Sequence, residues 1–248
     1  MSQKTTSLAL RPKIVITGTG RAGTTFLVRL FTELGEETGF TPENWPRGYD
    51  AHCAAGLEHD DITGPDTPRI VKNPALCDLL PALLASRAVA IEHALVPVRG
   101  LEAAARSRVW VGGRGATPGG LWGTDDPAAQ KAVLAEKFHA LVQTLVEHEV
   151  PLTFLAFPRF VRDVDYAWGK LHPILRKPDR AAFEAAFRRV ARPELVHDFS
   201  PGLPEGAGRA AREYEERKRL RRARWRCRRL YAAVAILAAI CGTGWLFT

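Results

Sequence analysis

Lys13-Ile-Val-Ile-Thr-Gly-Thr-Gly-Arg-Ala-Gly-Thr-Thr-Phe-Leu27 passes from a β-branched strand through three glycines into an apolar helix. A strand that turns this tightly into a helix is the opening unit of a parallel α/β sheet, because a parallel neighbour must be reached by a crossover. Gly18, Gly20 and Gly23 let successive backbone N–H groups converge, and the positive end of the helix that starts at Gly23 favours an anion there. Residues 18 to 25 therefore form a cradle for a phosphorylated ligand.

Three chemistries use such a loop. A P-loop NTPase places Lys and then Ser or Thr after the last glycine, to reach the β- and γ-phosphates and to hold magnesium. Here Gly18 and Gly23 have the right spacing, but Thr24 stands where the lysine is needed. A dinucleotide site needs Gly-x-Gly-x-x-Gly, which Gly18, Gly20 and Gly23 satisfy, and then a second strand ending near an acidic residue. The stretch that follows the helix, Gly35-Glu-Glu-Thr-Gly-Phe-Thr-Pro42, is too broken for that strand.

Residues Gly20-Arg-Ala-Gly-Thr-Thr-Phe26 resemble the phosphosulfate loop of sulfotransferases, with Arg21 where many members carry lysine. The resemblance implies that Gly18, Gly20, Arg21, Ala22, Gly23, Thr24 and Thr25 hold the 5′ end of the donor 3′-phosphoadenosine-5′-phosphosulfate (PAPS), with no metal required. A fixed cation and hydroxyl donors then carry the electrostatic work. Val96-Pro-Val-Arg99 ends a buried strand, and Ser107 follows eight residues later. Sulfotransferases carry an Arg and a Ser at this spacing on the donor's 3′-phosphate, for which a guanidinium is a forked, permanently charged partner. Without the glycine loop, the two would read as a strand-end arginine and a helix-surface serine.

Arg69-Ile-Val-Lys-Asn-Pro74 looks like the Lys-x-Pro segment of the heparan-type branch, which implies that Lys72 stabilises the sulfuryl oxygens; a solvated strand-end lysine is the plain alternative. Transfer to a hydroxyl also calls for a general base. Glu43, in Pro42-Glu-Asn-Trp45, resembles the glutamate that this branch places after the first helix, and His52, Glu58 and His59 lie in the same irregular stretch. The expected catalytic set is Arg21, Lys72 and Glu43. Two departures from the family stand out: there is no Arg-Lys-Gly segment to complete the 3′-phosphate site, and Pro158 stands where members often have an acidic residue.

The 248 residues, 46% apolar and 25% charged, suffice for one α/β domain, assigned to residues 13–200 after a flexible start over 1–12. The net charge of +8 suggests nucleic acid at first sight, but eleven basic and three acidic residues lie between Arg209 and Arg229. The remaining body balances at 24 basic and 24 acidic side chains over 1–208, which argues against a nucleic-acid partner. Residues 201–229 read as a linker and basic juxtamembrane segment. The 19 uncharged residues from Leu230 to Thr248 would span about 28 Å as a helix. They are expected to form a transmembrane anchor, with the arginines on anionic lipid heads and the enzyme domain on the cytoplasmic side. A terminal helix packed on the domain and a nucleic-acid tail are the competing readings. Met1 to Lys13 lacks the apolar core of a signal peptide, and the four cysteines form neither a disulfide framework nor a zinc pair.

Alternating segments predict strands over 13–17, 69–72, 92–98 and 151–157 and helices over 23–35, 74–86, 101–111, about 127–149 and 179–191. This is the pattern of a three-layer, P-loop-like α/β fold with a C-terminal hydrophobic helix. The glycine-rich stretch from Gly112 to Gly123 is expected to be irregular, as a lid carrying Arg114 and Trp122 or as a plain linker. The function expected from the resemblance is transfer of a sulfuryl group from PAPS to a hydroxyl or amine of a carbohydrate, lipid or small molecule; a bilayer tether points to lipid or lipid-linked sugar. A P-loop kinase or hydrolase and an inactive membrane-attached nucleotide-binding module are the alternatives.

Overall fold

Strand β1 (Lys13–Ile16) is wholly buried, and its side chains alternate between two cores. Ile14 and Ile16 pack with Leu27, Leu30 and Phe31 of helix α1 (Thr24–Glu33), whereas Val15 joins a second cluster on the opposite face. A strand covered on both sides reads as an unbroken apolar run, as Ile14 to Ile16 do. The computed structural model describes residues 10–50, 55–113, 119–177, 179–197 and 199.

After α1 come two short antiparallel strands, β2 (Tyr49–Asp50) and β3 (Ala55–Gly56), which lie outside the main sheet. The chain continues through β4 (Ile70–Lys72), α2 (Leu76–Ala85), β5 (Ile91–Val98), α3 (Leu101–Gly113), α4 (Gln130–Glu147) and β6 (Leu152–Ala156). Short helices α5 (Arg159–Arg162) and α6 (Val164–Leu171) lead to α7 (Arg180–Val190). Four strands form a parallel sheet in the order β4-β1-β5-β6. One core holds α1, α5, α6 and α7 against Ile14, Ile16, Ile70, Leu95 and Leu155. The other holds α2 and α4 against Val15, Val71, Ala94 and Val96.

This strand order positions the site. The chain leaves β1 towards β4 and leaves β5 towards β6, so connections from adjacent strands depart in opposite directions. A crevice opens between their carboxyl ends, the place where sheets of this kind bind ligands.

The strands and helices predicted between residues 13 and 191 all occur, with bounds shifted by at most three residues. One expectation is corrected: Gly112 and Gly113 are not irregular, because α3 continues through them. Packing of Val111, 1% exposed, offsets the weak helix propensity of glycine there. Among the described residues no helix is long and apolar enough to cross a membrane. The segment from Leu230, the basic run before it, His52 and Arg114 lie outside the described residues.

Candidate functional site

The turn after β1 continues the ladder for one residue, with the Thr17 N–H donating to the Leu95 carbonyl at 3.1 Å. It then adopts positive φ at Gly18 (143°), Gly20 (71°), Arg21 (55°) and Gly23 (82°). Two glycines are required for space as well as dihedral angle. A Cβ on Gly23 would lie 2.8 Å from Phe160 Cζ, and one on Gly20 would lie 2.6 Å from Arg108 Nη2. Gly23 is also the N-cap of α1, with no side-chain cap and no acidic residue in the first turn. The first amides of α1 are thus left for a ligand, as an anion site requires.

Two arginines hold this turn from β5 and α3, and a third, Arg21, belongs to the turn itself. Arg108, 4% exposed, donates twice to the Thr19 carbonyl, from Nη2 at 2.6 Å and Nε at 3.2 Å, and once to the Gly120 carbonyl from Nη1 at 2.6 Å. Its guanidinium lies 4.9 Å from the Trp122 ring centre, and burial, with the Arg21 charge adding, pushes its pKa down to about 10. Arg99 donates to the Arg21 carbonyl at 2.9 Å and to the His197 carbonyl at 2.7 Å, and packs over Phe157 and Phe199. Arg21 Nε donates to the Ser107 hydroxyl at 3.2 Å. Arg21, Arg99 and Ser107, 78 and 86 residues apart in sequence from Arg21, thus meet at the β1/β5 crevice.

The β4 side supplies Lys72, which is 1% exposed. Its ammonium is ion-paired with Glu58 and donates to the Gly56 carbonyl at 2.8 Å and the Thr25 hydroxyl at 3.4 Å. His59 is committed elsewhere. Its Nδ1 accepts the Lys72 N–H at 3.0 Å, so its Nε2 carries the hydrogen donated to the Thr38 carbonyl at 2.9 Å. Burial pushes its pKa down, which keeps the ring neutral and leaves it no lone pair with which to take a substrate proton.

These groups line one cavity of about 450 Å³, within the range of small-molecule sites. Among the described residues, Arg21, Arg29, Lys72, Arg99, Arg108 and Arg192 face it against one carboxylate, that of Glu58. Gly20, Gly23, Thr24, Thr25 and Ser107 also line it, whereas Gly18 and Ala22 do not. Glu43 is not brought to the cavity: it is exposed in the turn before Trp45, where the Thr41 hydroxyl holds its carboxyl below the usual range. The carboxylate found at the cavity is Glu58. Arg108 matches no motif in the sequence, and its place beside Ser107 on α3 is the one local sign that it reaches the loop. Trp122 lines the cavity and is tied down by Arg108 and by Lys137, 4.5 Å from its ring centre. Arg29 and Arg192 carry no sequence signal, since only tertiary folding brings the end of α7 beside α1.

No protein-family model matches the chain, and no curated protein does. Among solved structures, the sulfotransferase domain from the curacin biosynthetic pathway is similar at 13% identity and a TM-score of 0.36, over 84% of this chain and 99% of that one. A likeness of that size carries no inference about chemistry.

Proposed function

We propose that this chain is a PAPS-dependent sulfotransferase acting on a hydroxyl or amine acceptor. One observation carries the reading. A glycine turn that carries Arg21 and no loop lysine meets Arg99 and Ser107 at the β1/β5 crevice, in a cavity where, among the described residues, six cations face one carboxylate. Such a site matches a donor with anionic groups at two ends of one adenylate. Arg99 and Ser107 would hold the 3′-phosphate; the amides at the start of α1, with Thr24 and Thr25, would hold the 5′ end.

PAPS, when bound, supplies an electrophilic sulfuryl group whose leaving phosphate must be stabilised. Arg21 and the amides of the turn are donors suited to that charge, and they are held in place beforehand by Arg99 and Arg108. Glu58, the carboxylate paired with Lys72, takes the acceptor proton in place of Glu43. Once Glu58 is neutral its hold on Lys72 weakens, and the ammonium turns to the sulfuryl oxygens. Residues 230–248 serve as a membrane anchor beside anionic lipid; deleting them would move the protein from the membrane fraction to the supernatant.

Calorimetry tests the donor. Binding of 3′-phosphoadenosine-5′-phosphate (PAP) without magnesium, weakened at least tenfold in Arg99→Ala, is expected. Magnesium-dependent ATP binding with no PAP affinity would replace the reading with a kinase or hydrolase, and PAP binding without turnover of PAPS on any acceptor would leave a binding module.

A further inference from the structure

The turn and its arginine holders account for one end of the cavity; the other end is built differently. Arg29 lies one helical turn beyond Thr25 on the same face of α1, about 6 Å along the axis. Its guanidinium stacks 4.1 Å from the Trp45 ring centre and 5.4 Å from that of Tyr49. The buried Nε has no hydrogen-bond partner among the described residues. Arg192, just past α7, stands on the cavity mouth and donates to the Arg189 and Ala191 carbonyls at 3.1 and 2.8 Å.

Neither arginine has a carboxylate within salt-bridge distance among the described residues, although nearby Glu33 is engaged by Arg189 at 2.8 Å. Burial pushes the Arg29 pKa down; Tyr49 and Glu33 oppose this and the Arg192 charge adds to it. Between them the wall is apolar, made by Phe26, Val161, Val190 and Leu195, the last 47% exposed at the mouth. A half-buried guanidinium on an apolar wall with its Nε stranded, beside a second arginine at the mouth, is a place that an anionic ligand would complete.

We propose that the acceptor carries an anionic group of its own, a carboxylate or phosphate on an apolar body, seated between Arg29 and Arg192 with the reacting hydroxyl or amine at Glu58. The inference rests on the sulfotransferase reading only in calling this ligand an acceptor. A neutral sugar or a plain alcohol would leave both arginines uncompensated.

The test compares 3-phenylpropanoate with 3-phenylpropanol, matched apolar bodies with and without the anion, by ligand-observed NMR on the full chain. Wild type is expected to bind the acid at least tenfold more tightly. That preference should fall to threefold or less in Arg29→Gln and in Arg192→Gln and persist in Arg99→Gln. Arg192 is exposed, so its variant decides the matter even if Arg29→Gln unfolds. Equal binding of acid and alcohol by wild type overturns the proposal, as does a preference that survives both variants but disappears in Arg99→Gln. PAP affinity, measured alongside, judges the donor reading separately, because the acid-to-alcohol ratio does not depend on it.

Discussion

Replacing Arg108 by methionine should separate the rigidity of the glycine turn from its charge. The guanidinium makes three buried donations, two to Thr19 and one to Gly120. Losing it strands two carbonyls, at about 1–3 kcal/mol each. Against this stands the cost of burying the cation. Its pKa falls from 12.5 to about 10, which at about 1.4 kcal/mol per pH unit is about 3 kcal/mol recovered when the charge is removed. The opposing contributions nearly cancel, leaving anything from a gain of about 1 kcal/mol to a loss of about 3 kcal/mol, or roughly +4 to −12 °C in Tm for a domain of this size. The effect on the ligand should be plain even where the two contributions to stability cancel. With the Thr19 carbonyl released, the positive φ values at Gly20 and Arg21 are no longer enforced, and PAP affinity should drop about 10- to 100-fold, the equivalent of one or two charge-assisted hydrogen bonds. Arg108→Lys should fall between, because a point ammonium cannot bridge Thr19 and Gly120 as a fork does. Calorimetry and thermal melts read both quantities. Unchanged PAP affinity in a folded Met variant would refute the claim that Arg108 shapes the turn.

Three further outcomes follow from the same geometry. Glu58→Gln should lower kcat about 10²- to 10⁴-fold while PAP affinity stays within twofold, since the carboxylate serves the acceptor and not the donor; steady-state kinetics with PAPS would show it. Helices α1, α2 and α4 all end with a left-handed residue that closes two backbone bonds, but only Gly35 suits it, while Arg87 (φ 54°) and Glu149 (φ 52°) do not. Arg87→Gly and Glu149→Gly should each add about 0.5–1 kcal/mol in urea unfolding, the left-handed strain relieved less the entropy of glycine. His59 is held neutral by burial, so its folded pKa lies below 6.5. The unfolded chain then binds the extra proton first, and stability present above pH 6.5 is lost as pH falls through the folded value. Urea midpoints between pH 8 and pH 5 should fall less in His59→Gln than in wild type.

Local order was legible in the chain. β1, the glycine turn and α1 are specified by neighbours in sequence, because β-branched residues, glycines at positive φ and an apolar helical stripe act within a few positions of one another. The alternation of strands and helices followed for the same reason, and it implied a parallel sheet before any contact was known. Partnership across the sheet was not legible. Glu43 and Glu58 are both acidic residues in irregular chain, and nothing local distinguishes the solvent-facing one from the one held on Lys72; the pairing of β2 with β3 around Gly56 decides it. His59 likewise resembled a free base until Lys72 and Thr38 took both its nitrogens. Arg108, Arg29 and Arg192 belong to the site because α3 crosses the turn and α7 lies along α1, and packing over such separations depends on the shape of both cores, which no short stretch of residues encodes.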